Sequence, residues 1–294
     1  MERSTKGLPE NGSSAVNPSP DARRRVSECV RRWCIVVEQT IETDRSILTF
    51  GARDGAAVVL KVMKYADEEW HAGNVLAAFN GTSAVRVYEH APGAMLLERL
   101  APATSLVQVV QRDDDEATAI LADVILRLRT AAMVSTLPTV GDWGRSFPRY
   151  LESGNRGIDE SLVADAYRVY SHLCQSQAIT SVLHGDLHHE NVLHDETRGW
   201  VVIDPKGVIG EAAYELGAAL RNPCHLGPSF LERRFDRRVD ALAGRLGLNR
   251  RRAVGWAFSQ AVLAAIWAIE DGSPVTSEHV WLRLARALAP KVEV

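Results

Sequence analysis

The chain has 294 residues, 46% of them hydrophobic and 24% charged, with a formal net charge of −3 at pH 7. Such a length suits two lobes sharing a cleft, and the composition is that of an ordinary globular protein. The slightly acidic balance argues against a general nucleic-acid binder, whose footprint is basic. The arginine runs Arg23–Arg25 and Arg250–Arg252 read as solvated helix faces. Four cysteines (Cys29, Cys34, Cys174, Cys224) are too few and too scattered for a disulfide framework, and Cys29 and Cys34 do not make the CxxC of a zinc site. No uninterrupted apolar run reaches the roughly 18 residues that span a bilayer. The expectation is a cytoplasmic monomer or weak dimer, with no membrane or nucleic-acid partner.

Residues 1–24, opening MERSTKGLPENGSSAVNPSP, lack the apolar centre of a signal peptide and read as a disordered tail. Residues 25–100 read as a small, strand-rich lobe. WCIVVEQTI (33–41), SILTFGA (46–52) and AAVVLKVM (56–63) are apolar and β-branched, and Asp54-Gly55 between the last two is a hairpin signal. DEEWHAGNVLAAF (67–79) changes period: Trp70, Val75, Leu76 and Phe79 suit a helix, which Asn80-Gly81 stops. AVRVYEH (84–90) and AMLLERL (94–100) return to strand around Ala91-Pro92-Gly93. Residues 101–294 read as a larger, mostly helical lobe, with helices within 113–133, 159–177 and 251–272. In the last of these Val254, Phe258, Val262, Ala265 and Ile269 keep to one face. Segment 138–157 reads as an irregular connection. One strand pair interrupts this half, NVLHD (191–195) with WVVID (200–204). The fold class expected is α+β, in two lobes.

The stretch VLHGDLHHENVL (182–193) holds three of the nine histidines together with Asp186, Glu190 and Asn191. A zinc site would need imidazoles converging on one point, which the loop around Gly185 disfavours; His189 reads as solvent-facing. A different chemistry fits better. The stretch precedes a hairpin ending in Ile203-Asp204-Pro205, so Asp186, Asn191 and Asp204 sit where a loop and a hairpin end can meet. Their order and spacing match the phosphoryl-transfer arrangement, in which a catalytic-loop Asp is followed after four residues by a metal-binding Asn and later by a metal-binding Asp. Two protein oxygens suffice for Mg²⁺, which fills its shell with phosphates and water. Lys61 on the third strand would anchor nucleotide phosphates, with Glu69 on the following helix as its favoured partner and Glu68 as the rival.

HGDLHHEN resembles the HGDxHxxN of the aminoglycoside phosphotransferase branch of the kinase fold. IDPKGVIGE (203–211) is similar to the IDPxGxxGE/D segment of the aminoglycoside and hydroxyurea resistance kinases, among which the streptomycin 6-kinases look nearest. The resemblance runs from about Val36 to Trp267. It implies a bilobal protein-kinase-like fold, ATP and Mg²⁺ as cofactors, and an aminoglycoside as acceptor, with streptomycin at its 6-position the leading expectation. By the same resemblance His184 is a scaffold holding the loop near Asp204. No GxGxxG lies between the first two strands; the loop there is Glu42–Ser46, where Ser46 either meets the phosphates or is an ordinary turn serine. Met95–Leu100 would link the lobes, with backbone groups of Glu98 and Leu100 reading the adenine edge.

A polycationic acceptor calls for carboxylates. Glu190, Glu211, Glu270, Asp271 and Asp142 are the candidates, and Trp267 offers a flat face to a guanidinium. Each has a plainer reading: Glu211 caps the helix beginning near Ala212, and Glu270-Asp271 end another. Two rival functions stay open, a kinase of another hydroxylated small molecule such as hydroxyurea or a metabolite, and a non-catalytic nucleotide-binding pseudokinase. The pseudokinase predicts a gap in the Lys61–Glu69–Asp186–Asn191–Asp204 series, and the series has none.

Overall fold

The computed structural model describes residues 21–66, 68–79, 81, 83–128 and 136–292, with residue 68 described in its backbone alone. Residues 1–20 of the 1–24 tail, the Asn80 stop, the Glu68 side chain and the helix end at 129–133 therefore lie outside the described residues. Helix α1 (Ala22–Arg32) begins within the segment read as tail. Arg23 and Arg24 on it are solvated, as the charge run suggested, but Arg25 is not. Its guanidinium lies 4.7 Å from the Trp70 ring centroid and donates to the Met63 carbonyl at 2.7 Å.

The small lobe is a five-stranded antiparallel sheet of β1 (Val36–Glu42), β2 (Ser46–Arg53), β3 (Ala56–Met63), β4 (Val87–Ala91) and β5 (Ala94–Glu98), ordered β1-β2-β3-β5-β4. The Asp-Gly signal forms the β2–β3 turn: Asp54 and Gly55 both have positive φ, 52° and 79°, as a tight mirror-image hairpin turn requires. Alternation along β3 sorts the two faces. Val58, Leu60 and Val62 pack under α1 with Trp33, Ile35 and Leu96, which turns Val59 and Lys61 to the opposite side, above the cleft between lobes. A 3-10 turn, Glu68–His71, leads into α2 (Ala72–Ala78) and carries Glu69 beneath the sheet.

The large lobe begins with β6 (Pro102–Ser105), α3 (Val107–Val110) and α4 (Asp114–Leu128). The segment read as irregular contains two short helices, α5 (Val140–Trp143) and α6 (Ser146–Glu152), and α7 (Glu160–Gln175) follows. Three-residue strands β7 (Ser181–Leu183) and β10 (Val208–Gly210) enclose the expected hairpin of β8 (Val192–Asp195) and β9 (Gly199–Val202). More strand is present than the single pair expected: β7 pairs with β10, and β6 joins β8 as a third strand. Four helices complete the lobe: α8 (Leu216–Leu220), α9 (Pro228–Leu246), α10 (Arg250–Glu270) and α11 (Val280–Leu288). Helix α10 is not one-faced. Every residue from Ala253 to Ile266 is buried, while Ile269, assigned to the apolar face, is half-exposed. By length and composition α10 could cross a membrane, yet 78% of its most apolar window is buried inside the fold, as in a helix surrounded by others.

Candidate active site

The pairing of β7 with β10 brings together residues 25 to 29 positions apart. Leu183 sits opposite Val208, so the segment after β7 and the segment before β10 run beside one another. The His184 carbonyl accepts from the N–H groups of Lys206 and Gly207, both at 3.0 Å, and the Asn191 carbonyl accepts from Ile203 N–H at 3.0 Å. The His184 ring closes the same junction, Nε2–H donating to the Ile203 carbonyl at 2.8 Å while Nδ1 accepts from Asp186 N–H at 3.3 Å. Both bonds need a neutral ring, and complete burial supplies it by pushing the imidazole down to about 4. Gly185 has φ +83°, and a Cβ there would lie 2.7 Å from Trp143, so this turn admits only glycine.

Around that junction stand the residues of the phosphoryl-transfer pattern. Lys61 Nζ lies 3.2 Å from Glu69 Oε2 and 2.8 Å from Asp204 Oδ1, so Glu69 is a carboxylate partner of Lys61. Burial alone would lower the Lys61 pKa, but the carboxylates of Asp204 and Glu69 outweigh it and the net shift is upward, keeping the ammonium charged. The Asp186 carboxylate faces Arg221 Nη2 at 3.2 Å and Lys206 Nζ at 3.9 Å. Burial pushes this carboxyl up, yet Lys206, His188, Arg221 and His184 together pull it down to about 2. Asn191 Nδ2 donates to the Asp186 carbonyl at 2.9 Å, which fixes the amide orientation and leaves its oxygen for another partner.

Two clefts flank these groups. One, of about 370 Å³, lies under the sheet and is lined by Leu48, Phe50, Val59, Leu97, Leu100 and Ile203, with Lys61 and Asp204 in its wall. Its apolar slot beside a cationic end has the character of a site for a flat base carrying phosphates. Glu98 also lines it, its side chain held by Arg198 and by Arg86 N–H at 2.8 Å. The Glu98 N–H donates to the Arg86 carbonyl at 3.0 Å. Ser46 is buried where the β1–β2 turn enters β2, its hydroxyl 3.1 Å from that of Thr43.

The second cleft, of about 300 Å³, is bounded by Trp143, Trp267, Asp142, Glu270 and Asp271, with Arg45, Arg149 and Lys206. Lys206 Nζ is 5.5 Å from the Trp267 ring centroid, so one side chain touches both this cleft and Asp186. The carboxylates are not bare. Arg149 Nε pairs with Glu270 at 2.9 Å, Arg45 Nη2 with Asp271 at 3.0 Å, and Asp142 closes a capping box with Thr139. Glu211 lies elsewhere: its carboxylate accepts from Arg252 Nε at 2.9 Å and from the Trp256 indole, and it does not line the cleft. Arg252, read as part of a solvated face, is thus a structural cation. His189 is fully buried rather than solvent-facing. Glu190 sits at the edge of the site, against His188 and His225.

Three residues in contact with the loop are not singled out by the sequence: Lys206, Arg221 and Glu215. Lys206 stands inside IDPKG and its closeness to Asp204 was a usable signal. Arg221 and Glu215 gave none, because they reach the loop from thirty or more positions away. Glu215 is buried and accepts from His184 N–H and Gly185 N–H, both at 3.0 Å; burial raises its carboxyl to about 7. It pins the backbone that carries Asp186.

Residues 32–272 match the family described as Aminoglycoside/hydroxyurea antibiotic resistance kinase. The chain is 31% identical over 252 residues to a streptomycin 3''-kinase of Klebsiella pneumoniae, covering 83% of this chain and 92% of that one. It is 31% identical over 273 residues to a streptomycin 6-kinase of Streptomyces glaucescens, covering 90% and 88%. Among solved structures, a thermostable mutant of an aminoglycoside phosphotransferase in ternary complex with ADP and hygromycin B superposes with a TM-score of 0.61 at 16% identity, covering 91% of this chain and 99% of that one. The likeness places the chain in the protein-kinase-like fold, a β-sheet lobe over a helical one. The chain is a phosphotransferase belonging to the aminoglycoside/hydroxyurea antibiotic resistance kinase family.

Proposed function

We propose that the enzyme moves the γ-phosphoryl group of ATP to a hydroxyl of streptomycin, at the 6-position, and so confers resistance to the drug. The observation that carries this reading is that Lys206, in the wall of the cleft bounded by tryptophans and carboxylates, reaches Asp186, while Lys61 and Asp204 stand in the wall of the apolar cleft. Asn191 and Asp204 fit Mg²⁺: the amide nitrogen is engaged by the Asp186 carbonyl, and one Asp204 oxygen is engaged by Lys61, so each offers an oxygen to a hard cation. Among the described residues no group of three or more His, Cys, Asp and Glu side chains is placed to hold a metal, so the cation would draw its other ligands from phosphate and water. When bound, Mg²⁺ neutralises charge on the transferring phosphoryl group.

Asp186 orients the acceptor hydroxyl and accepts its proton as the new oxygen–phosphorus bond forms and ADP departs. A carboxyl at about 2 is a weak base, so its service is chiefly positional, which suits a loose transition state in which the nucleophile gains little charge early. Lys61 holds the phosphates, and Lys206 places positive charge beside Asp186. A dicationic acceptor enters the second cleft by exchanging its guanidinium groups for those of Arg149 and Arg45 on Glu270 and Asp271. Such solvated pairs are worth about 0–1 kcal/mol and yield readily.

The test is the purified protein with Mg-ATP, streptomycin, other aminoglycosides and hydroxyurea, with product mass and the site of phosphorylation read by mass spectrometry and NMR. A streptomycin 6-phosphate product supports the reading. A 3''-phosphate would move the regiochemistry, and phosphorylated hydroxyurea without phosphorylated streptomycin would replace the acceptor.

A further inference from the structure

The Asn191 amide has two N–H bonds, and the structure accounts for both. One donates to the Asp186 carbonyl at 2.9 Å; the second points to His188 Nε2 at 3.3 Å. A carbonyl oxygen can only accept, so the first bond fixes which end of the amide faces the loop. An amide nitrogen can only donate, so His188 Nε2 must accept, and an accepting imidazole nitrogen carries no proton. The ring proton therefore sits on Nδ1, which lies 3.1 Å from Glu190 Oε2 and donates to it. Glu190 N–H also approaches Nδ1, at 3.3 Å, but a protonated nitrogen cannot accept it, so the carboxylate contact is the hydrogen bond. The other Glu190 oxygen is 3.3 Å from His225 Nδ1. His188 and Glu190 both precede Asn191 in the same loop, and His225 arrives from the 3-10 turn Cys224–Leu226.

We propose that His225, Glu190 and His188 form a positioning chain that fixes the His188 tautomer, locks the Asn191 amide and so presents its oxygen to the metal. Glu190, an acceptor-binding candidate on sequence, is then a positioning residue. Outer-shell partners of this kind hold a ligand at the angle the cation needs, and their loss weakens metal affinity without touching the metal itself. Removing the His188 ring frees one amide N–H, and the amide can rotate. Removing the Glu190 carboxylate lets the ring proton move to Nε2, which then repels the amide N–H.

The inference rests on the metal reading of Asn191 and Asp204. Its test measures Mn²⁺ binding to the full-length protein in the presence of ADP, by electron paramagnetic resonance of the free ion. Metal-free ADP affinity by calorimetry, acceptor KM and melting temperature are measured alongside. His188→Leu should weaken Mn²⁺ binding roughly 10- to 100-fold, Glu190→Ala should weaken it by a smaller factor, and Glu190→Gln, whose carbonyl still accepts from Nδ1–H, should restore most of the loss. Metal-free ADP affinity and acceptor KM should hold in all three. Glu190 is an exposed side chain, so its variants keep the fold and test the chain independently of any disturbance from His188→Leu. If the wild type binds Mn²⁺ and Glu190→Ala binds it equally well, the positioning chain is wrong while the metal reading stands. A raised acceptor KM in Glu190→Ala with unchanged Mn²⁺ affinity would return Glu190 to the acceptor site. A wild-type ADP complex that binds no Mn²⁺ would remove the metal reading and this chain with it.

Discussion

Arg221 is the least conspicuous member of the site and the one whose removal tests its construction most sharply. It is buried, and its guanidinium bridges Asp186 Oδ1 at 3.2 Å and Gln260 Oε1 at 3.0 Å, tying the Asp186 carboxylate to the core helix α10. Arg221→Met keeps the length and apolar volume but removes both bonds. A hydrogen bond to a charged group contributes about 1.5–3 kcal/mol. Lys206 remains near Asp186, so the loss should fall near the middle of that range, about 2 kcal/mol, which corresponds to a roughly 30-fold fall in kcat. With Lys206 still in place, Asp186 stays ionised at neutral pH, so the loss is one of aim and should be flat with pH around 7. The same substitution leaves a buried carboxylate less compensated, and a stability loss of about 2 kcal/mol would lower the melting temperature by roughly 4–8 °C in a chain of this size. Steady-state kcat, KM for ATP and acceptor, and a melting curve decide the matter. A kcat within about threefold of wild type, despite a lower melting temperature, would show that Arg221 supports the fold and not the aim of Asp186.

Other expectations follow from particular contacts. Glu211→Ala should lower the melting temperature while leaving acceptor KM unchanged, because its carboxylate serves Arg252 and Trp256; a raised KM with normal stability would put it back in the acceptor site. Arg149→Gln should free Glu270 and lower KM for a dicationic acceptor several-fold, whereas a raised KM would make Arg149 a direct contact to a neutral or anionic one. Glu215 has a folded pKa of about 7 against an ordinary 4.5. Between those values the unfolded chain has released its proton and the folded chain retains it, so this group makes stability fall as pH rises, by about 1.4 kcal/mol per pH unit. His184, held down at about 4, acts in the opposite sense below about 6.5, so the readout is the difference between wild type and Glu215→Gln in urea unfolding across that window. The variant should lack the downward contribution; identical pH dependence in both proteins would contradict it.

The small lobe was legible because its signals are local. Asp54-Gly55 dictates a turn, alternation along Ala56–Met63 dictates which side Lys61 takes, and the Asp186–Asn191–Asp204 spacing survives because one short hairpin separates the two loops. What stayed hidden depends on distant partners. Glu211 and Glu270 look alike as acidic residues near the motif, and only the fold sends one to Arg252 and the other to the cleft. Strands β7 and β10 are three residues each, too short to carry a periodic pattern, yet their pairing creates the site. Helix α10 was read as one-faced because small residues such as Ala253, Ala257 and Ala261 give no amphipathic contrast when a helix is buried all round. Arg25 shows the same limit at small scale: nothing in an arginine run says which member will turn inward.

The central claim is that Asp186 aims and deprotonates the acceptor hydroxyl beside a nucleotide held by Lys61 and Asp204. A rapid-quench single-turnover measurement on wild type and Asp186→Asn, with saturating Mg-ATP and streptomycin, reads the phosphoryl-transfer step directly. The expected rate loss is roughly 10²- to 10⁴-fold with ATP affinity unchanged, since Asp186 does not line the apolar cleft. A transfer rate within tenfold of wild type, or a loss that follows weakened ATP binding, would contradict it.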